Sequence, residues 1–400
     1  MDVHFNHFQQ LGTGRLRKDV LDIAIVWVIA LSFCIPVSSV SAVTESVTLS
    51  QKAAGVLRER LSVVSEELLK DFPDDIEVIK RSVEFYRHCQ NPYRMMEVLE
   101  QGLRFNPGNY GLCVQMAKIA FNNGEYEKAV TYWGKALAIK PGAWQLHDNI
   151  AEAYISLGRY SEVVEKLEAK IKVSPRSARS YWLLGQGYMK VKKYEKAKEC
   201  YDMVLEINPK YPQGHYWLGK TYMRLKQPAK AKEHMEIHRG HKNAMPSVRP
   251  DIIGENGSLQ HHGIDVQLDL FSGVLARLCV RGSKLYRASG KQEEAQDLFA
   301  KTEKAFEQSL IVDPNQTNIC REFSFLYISM DTKLDKAKEL VEKAVALEES
   351  ARNYFILSRA YYASSETAKA LSAMEKAVEM DPNNISFRRV YERMKRKSTR

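Results

Sequence analysis

Signatures of catalysis are scarce in this chain. It has no His-Glu-x-x-His pair and no Gly-x-Ser-x-Gly elbow, which sets aside zinc-protease and serine-hydrolase chemistry. A phosphate-binding loop is not expected either, no catalytic residue is assigned, and no cofactor is implied. The six cysteines include no Cys-x-x-Cys spacing, so neither a zinc ribbon nor a redox pair is indicated. Acidic residues are in deficit, 49 against 59 basic ones, for a net charge of +10. That balance permits acidic partners, yet in helical, lysine-rich text it reads as a solvated surface, and nucleic acid is not favoured. Long apolar runs are missing too. The longest, Ile23 to Val37, is 15 residues, short of the roughly 20 that a membrane-spanning helix needs.

That run has a meaning of its own. Arg15, Arg17 and Lys18 precede it, Pro36 interrupts it, and the small text Ser38-Ser39-Val40-Ser41-Ala42 follows. A positive start, a short apolar core and small residues before a scissile bond are the layout of a secretory signal, with cleavage expected after Ala42. The alternative is an uncleaved anchor over residues 20–40, because the segment ahead of the apolar core is long and carries Asp22. The first reading makes the protein exported, periplasmic or secreted. The second gives it a membrane association through the N-terminal helix. Export leaves Cys89, Cys113, Cys200, Cys279 and Cys320, an odd number, which reads as buried single thiols rather than a disulfide framework.

What the chain has in abundance is regularity. Pro107, Pro141, Pro175 and Pro209 lie 34 residues apart, and Pro73 extends the series by the same step. Helix-forming text fills the intervals, and each proline ends a helix because it has no N–H to donate. The interval from Ala178 holds Tyr181, Leu184-Gly185, Tyr188, Tyr194, Ala197 and Tyr201. The interval from Tyr110 holds Met116-Ala117, Gly124, Tyr126, Ala129, Trp133 and Ala136, and that from Trp144 holds Ile150-Ala151, Tyr154, Gly158 and Tyr160. This pattern resembles the tetratricopeptide repeat (TPR) family, whose unit is a pair of helices with small residues where they approach and aromatics filling the gaps. The resemblance runs through most of the chain from Ile76 to Pro382. It implies an all-α, right-handed α-solenoid interrupted by one loop insertion, and a binding scaffold rather than an enzyme.

Six segments follow. Residues 1–42 are the signal or anchor. Residues 43–75, with Leu57, Leu61, Val64 and Leu68 on one face, read as the second helix of an incomplete first unit that caps the array. Residues 76–239 form a first TPR array, 240–265 a Pro/Gly/Asn-rich insertion, 266–384 a second array, and 385–400 a basic capping helix. In the second array Asp313-Pro314 comes seven residues late, which predicts an overlong helix from Gln292 to Val312.

The resemblance also implies where a ligand would lie, since first helices line the inner groove of such arrays. The positions concerned give Lys118 and Phe121, then Gln145, Asp148 and Glu152, then Arg179, Trp182, Gln186, Met189 and Lys190, then Gln213, Tyr216, Lys220, Met223 and Arg224. A basic groove with aromatic patches suits a protein or peptide partner with acidic groups and apolar anchors, in the assembly of an envelope or extracytoplasmic complex. Val114 and Leu183 stand where the carboxylate-gripping members carry basic residues, so that activity is not carried over. A competing reading puts a metal site or an enzyme centre in residues 238–263. His234, His238 and His241 share a helix face there and His261 and His262 follow, a spacing open to metal binding. The plainer reading is of polar residues near a helix end, and no metal ligand is assigned.

Overall fold

The computed structural model describes residues 37–175, 177–211, 213–244 and 264–398. The apolar core of the expected signal, residues 23–36, therefore lies outside the described residues, as does the insertion from 245 to 263. Among the described residues every regular element is a helix, and none is long and apolar enough to cross a membrane. They divide into two compact units. Helix α1 (Val37–Asp71) joins residues 264–398 in one, and residues 73–244 form the other.

The 73–244 unit is a run of helix pairs: α2 (Ile76–His88) with α3 (Pro92–Phe105), α4 (Tyr110–Asn122) with α5 (Tyr126–Ile139), and α6 (Gln145–Ser156) with α7 (Tyr160–Val173). Then come α8 (Ala178–Lys190) with α9 (Tyr194–Ile207), and α10 (Gly214–Arg224) with α11 (Pro228–Ala244). Each helix packs on the one before and the one after. Several starts are fixed by side-chain caps, with Asp75, Asn91, Asn109 and Ser177 each accepting a hydrogen bond from the backbone N–H three residues on. The turn inside each pair follows one recipe. Gln90, Gly124, Gly158, Lys192 and Lys226, again 34 residues apart, all have positive φ. The next N–H then reaches back to the last helical turn, as in Arg159 N–H to Tyr154 O at 2.8 Å and Lys193 N–H to Tyr188 O at 2.9 Å. Glycine meets this demand at two of the five positions. Gln90, Lys192 and Lys226 adopt the left-handed conformation at a cost of roughly 1–2 kcal/mol each. Within the best-formed pair, Gly185 lets α8 settle on α9, since a Cβ there would come within 2.6 Å of the Tyr201 ring.

The other unit begins with two long helices, α12 (Ile264–Ala288) and α13 (Gln292–Val312). It continues through α14 (Thr317–Met330), α15 (Leu334–Leu347), α16 (Ala351–Ala363), α17 (Thr367–Met380) and α18 (Ile385–Ser398). Helix α13 has the bounds that the late Asp313-Pro314 sets. Helix α1 differs from expectation. It starts at Val37, so the expected cleavage position after Ala42 falls inside it, and its packing partners are α12 and α13. It is not the second helix of a first TPR unit, because its apolar stripe meets the start of the second array instead. Leu57, Leu61, Val64 and Leu68 are wholly buried there. Polar contacts fix the register: Ser309 Oγ donates to Ala53 O at 2.8 Å, Ser50 Oγ to Asp313 Oδ2 at 2.7 Å, and Tyr286 OH to Asp71 Oδ2 at 2.7 Å. The added turns of α13 carry Ser309 and lead to Asp313, so the extra length is the surface that receives α1.

Three substitutions test these accounts by urea unfolding. Leu61→Ala should cost about 2–5 kcal/mol, whereas Val63→Ala, on the exposed side of the same helix, should stay within about 0.5 kcal/mol. Lys192→Gly should stabilise the chain by about 1 kcal/mol by relieving the left-handed turn.

Candidate functional site

The first helices of the 73–244 unit carry the expected groove residues, and α6 packs directly on α8 to join them into a layer. Lys118, Lys190, Lys220 and Arg224 are exposed on that layer, and Tyr216 is half-buried. The Lys220 ammonium lies 4.6 Å from the Tyr216 ring centre and 5.1 Å from that of Trp217, while Lys190 stands 5.5 Å from Tyr160. These cations hold no ion pair with a carboxylate among the described residues.

Other expected residues do something different. Phe121 packs inside its own pair, 5.3 Å from Tyr126 and 5.6 Å from Trp133 by ring centres, so it is a gap filler rather than an open contact. Trp182 is half-buried against the core and lies 6.3 Å from Tyr211. Its indole N–H and the amide nitrogen of Gln186, one turn further on, both lack an acceptor among the described residues. Arg179 is charge-neutralised, its Nη2 donating to Glu152 Oε2 at 2.7 Å. Asp148 leaves the groove altogether. It is buried, 2.6 Å from Lys170 Nζ, and it accepts from Ser180 Oγ at 2.8 Å. That cluster ties α6, α7 and α8 together, and its charges are covered from solvent. The sequence did not show this, because a buried ion pair has no local signature.

The histidines do gather. His234, His238 and His241 on α11 face α10, where His215 Nδ1 lies 2.9 Å from His234 Nδ1. His241 meets the His215 ring edge-on at 5.6 Å, His238 lies 5.4 Å from Tyr216, and His234 stacks on Tyr222 at 5.4 Å. Among the described residues no group of three or more His, Cys, Asp or Glu has the geometry to hold a metal ion. His261 and His262 lie outside the described residues. Two ring nitrogens at hydrogen-bond distance share one proton, so the pair is most stable with at least one ring neutral. Burial, then the charges of His234, His241 and His238, push His215 below its ordinary value.

The buried thiols are poor nucleophiles in this fold. Burial raises Cys200 to about 12 and Cys279 to about 11. One string overlooked in the sequence matches the spacing of a phosphate loop, namely Gly214 followed by Gly219-Lys220-Thr221. The structure places it inside α10, where the backbone N–H groups are spent on the helix. Its glycines serve packing: a Cβ at Gly214 would meet Leu205 at 2.5 Å, and Thr221 Oγ1 donates to Trp217 O at 2.8 Å.

Residues 110–142 and 351–384 match a family described as tetratricopeptide repeat, and residues 188–226 match one described as TPR repeat. No curated protein matches the chain. Among solved structures, MamA from Desulfovibrio magneticus RS-1 is 21% identical with a TM-score of 0.38, over 48% of this chain and 98% of that one. A tetratricopeptide repeat protein from Parabacteroides merdae is 15% identical with a TM-score of 0.30, over 71% of this chain and 98% of that one. A thermophilic TPR protein in Thermus thermophilus is 19% identical with a TM-score of 0.27, over 55% of this chain and 98% of that one. Overlays this loose say nothing about partner or site.

Two outcomes follow from the buried charges. A depressed histidine binds fewer protons folded than unfolded, so its stability contribution is whole above pH 6.5 and falls as pH drops below that value. Thermal melts between pH 8 and pH 5 should show this loss, and His215→Gln should flatten it. Asp148→Ala, which strands the Lys170 ammonium, should cost about 3–5 kcal/mol in urea unfolding.

Proposed function

We propose that this tetratricopeptide-repeat protein, an interaction scaffold by virtue of its repeats, holds an extended peptide of a partner protein against the first helices of the 73–244 unit. The peptide carries acidic groups and large apolar side chains. One contrast carries the reading. Lys118, Lys190, Lys220 and Arg224 on α4, α8 and α10 have no carboxylate partner among the described residues. Several cations on the second helices do have one, Lys128 at 2.7 Å from Glu100, Lys198 at 3.1 Å from Asp202, and Arg159, at the start of α7, at 2.8 Å from Glu162, although Lys135 and Lys230 lie against aromatic rings instead. Unpaired ammonium groups beside aromatic rings are ready to donate charge-assisted hydrogen bonds to incoming carboxylates while the rings take apolar anchors. The N-terminal layout of the sequence supports a place outside the cytoplasm and a role in assembling an envelope complex.

Calorimetric titration with a synthetic peptide of alternating glutamate and phenylalanine tests the surface. Lys190→Glu with Lys220→Glu should weaken binding about tenfold or more, with helicity unchanged because both residues are exposed. Unchanged affinity would remove the first helices as the binding surface. The mass of the purified protein tests export: loss of residues 1–42 supports it, and an intact N-terminus on membrane-bound protein supports the anchor instead.

A further inference from the structure

Helix α11 closes the 73–244 unit, with α10 as its packing partner, and the apolar contact between them is thin. Helix α9, one pair earlier, buries Ala197, Cys200, Tyr201 and Val204, and α5 buries Ala129, Trp133 and Ala136. Among the described side chains of α11 only Ala231 is buried. Its carbonyl oxygen and Met235 Cε lie so near Gly219 of α10 that a Cβ there would come within 3.2 Å of each. Histidine stands where the earlier pair places apolar groups. His234 and His238 follow the buried Cys200 and Val204 by 34 residues, the length of one repeat.

The four imidazoles therefore make up much of the α10–α11 contact. His234 stacks on His215 with ring centres 5.2 Å apart, their Nδ1 atoms 2.9 Å apart, and His241 meets His215 edge-on. Surrounding charges do not offset a charged ring. Lys220 and Arg224 on α10 and Arg239 on α11 are exposed cations, and Lys230 lies 5.5 Å from the Tyr222 ring on which His234 stacks. On α9, Asp202 is held by Lys198 at 3.1 Å. Glu233 and Glu236 on α11 are exposed, and Glu236 reaches Lys232 at 3.9 Å. Among the described residues no carboxylate pairs with any of the four rings.

We infer that the α10–α11 contact is an acid-sensitive latch: below about pH 6 α11 leaves α10 while the earlier pairs stay folded, uncovering Gly219 and Tyr222. Neutral rings allow His215 and His234 to share one hydrogen bond, one nitrogen donating and the other accepting. Protonation of both makes each nitrogen a donor, so the bond is lost and like charges face each other, with His238 and His241 adding to the repulsion. In the released helix the rings are apart and bind protons without that cost, so falling pH favours release. Burial and the three facing histidines hold His215 below its ordinary value, the direction this linkage requires. With so little apolar surface holding α11, the charge of the cluster decides its position. The latch needs no ligand on the first helices and stands whether or not they bind one.

Hydrogen exchange of the full chain at pH 7.5 and pH 5.5, corrected for the intrinsic pH dependence of exchange, tests this. Amides of residues 231–241 should lose protection about tenfold or more at pH 5.5, while those of α8 and α9 keep theirs. The double variant His215→Gln with His234→Gln, protected at pH 7.5, should stay protected at pH 5.5. For the unsubstituted chain, which removes any dependence on how the variant folds, sodium chloride at about 0.5 M should restore part of the protection at pH 5.5 by screening the repulsion. The inference is overturned if α11 is equally protected at both pH values, or if it loses protection only in step with α8 and α9. It is equally overturned if salt restores nothing, or if a double variant protected at pH 7.5 opens at pH 5.5 as the unsubstituted chain does.

Discussion

Burial of the apolar stripe of α1 is the interaction on which the unit of residues 37–72 and 264–398 depends. A helix pair covers only part of its own apolar surface, so each pair in such an array needs a neighbour. The pair α12–α13 starts its unit with no pair ahead of it, and α1 supplies the missing surface with Leu57, Leu61, Val64 and Leu68. Each such side chain contributes about 1.5–3 kcal/mol on burial before ordering costs are counted. Several features follow from this one demand. Helices α12 and α13 are long because α1 is long. Ser309 and Asp313 are buried because they fix its register. The unit is discontinuous in sequence, with Ser50 bonded to a residue 263 positions away. Closing a loop of that length costs more entropy than pairing neighbouring helices does.

Both units carry first-helix cations beside aromatic rings that have no carboxylate partner among the described residues, next to others, such as Arg179, Arg321 and Arg352, that are paired. In the first unit the cations are exposed and the rings lie under their stems, an arrangement tolerant of varied sequences. In the second the guanidinium of Arg359 is half-buried and lies 5.3 Å from the Phe325 ring centre.

Much of this was legible in the sequence. The prolines at 34-residue spacing fixed the helix pairs, and the late Asp313-Pro314 fixed α13 to the residue, because proline acts locally and its meaning does not depend on partners. The turn inside each pair was readable only where glycine occupies it. Gln90, Lys192 and Lys226 adopt the same backbone without a residue that signals it. The apolar stripe of α1 was visible, but a stripe names a face and not what covers it. Groove residues were found as positions and misjudged as environments: Phe121 fills a gap, Asp148 sits in a buried ion pair, and Arg179 is already neutralised.

Hydrogen exchange followed along the chain tests the commitment of α1 most directly. Its amides from 53 to 69 should be protected as strongly as those of 268–286 in α12, and both should be lost together as urea is raised. Fast exchange in α1 while α12 and α13 stay protected would contradict the account.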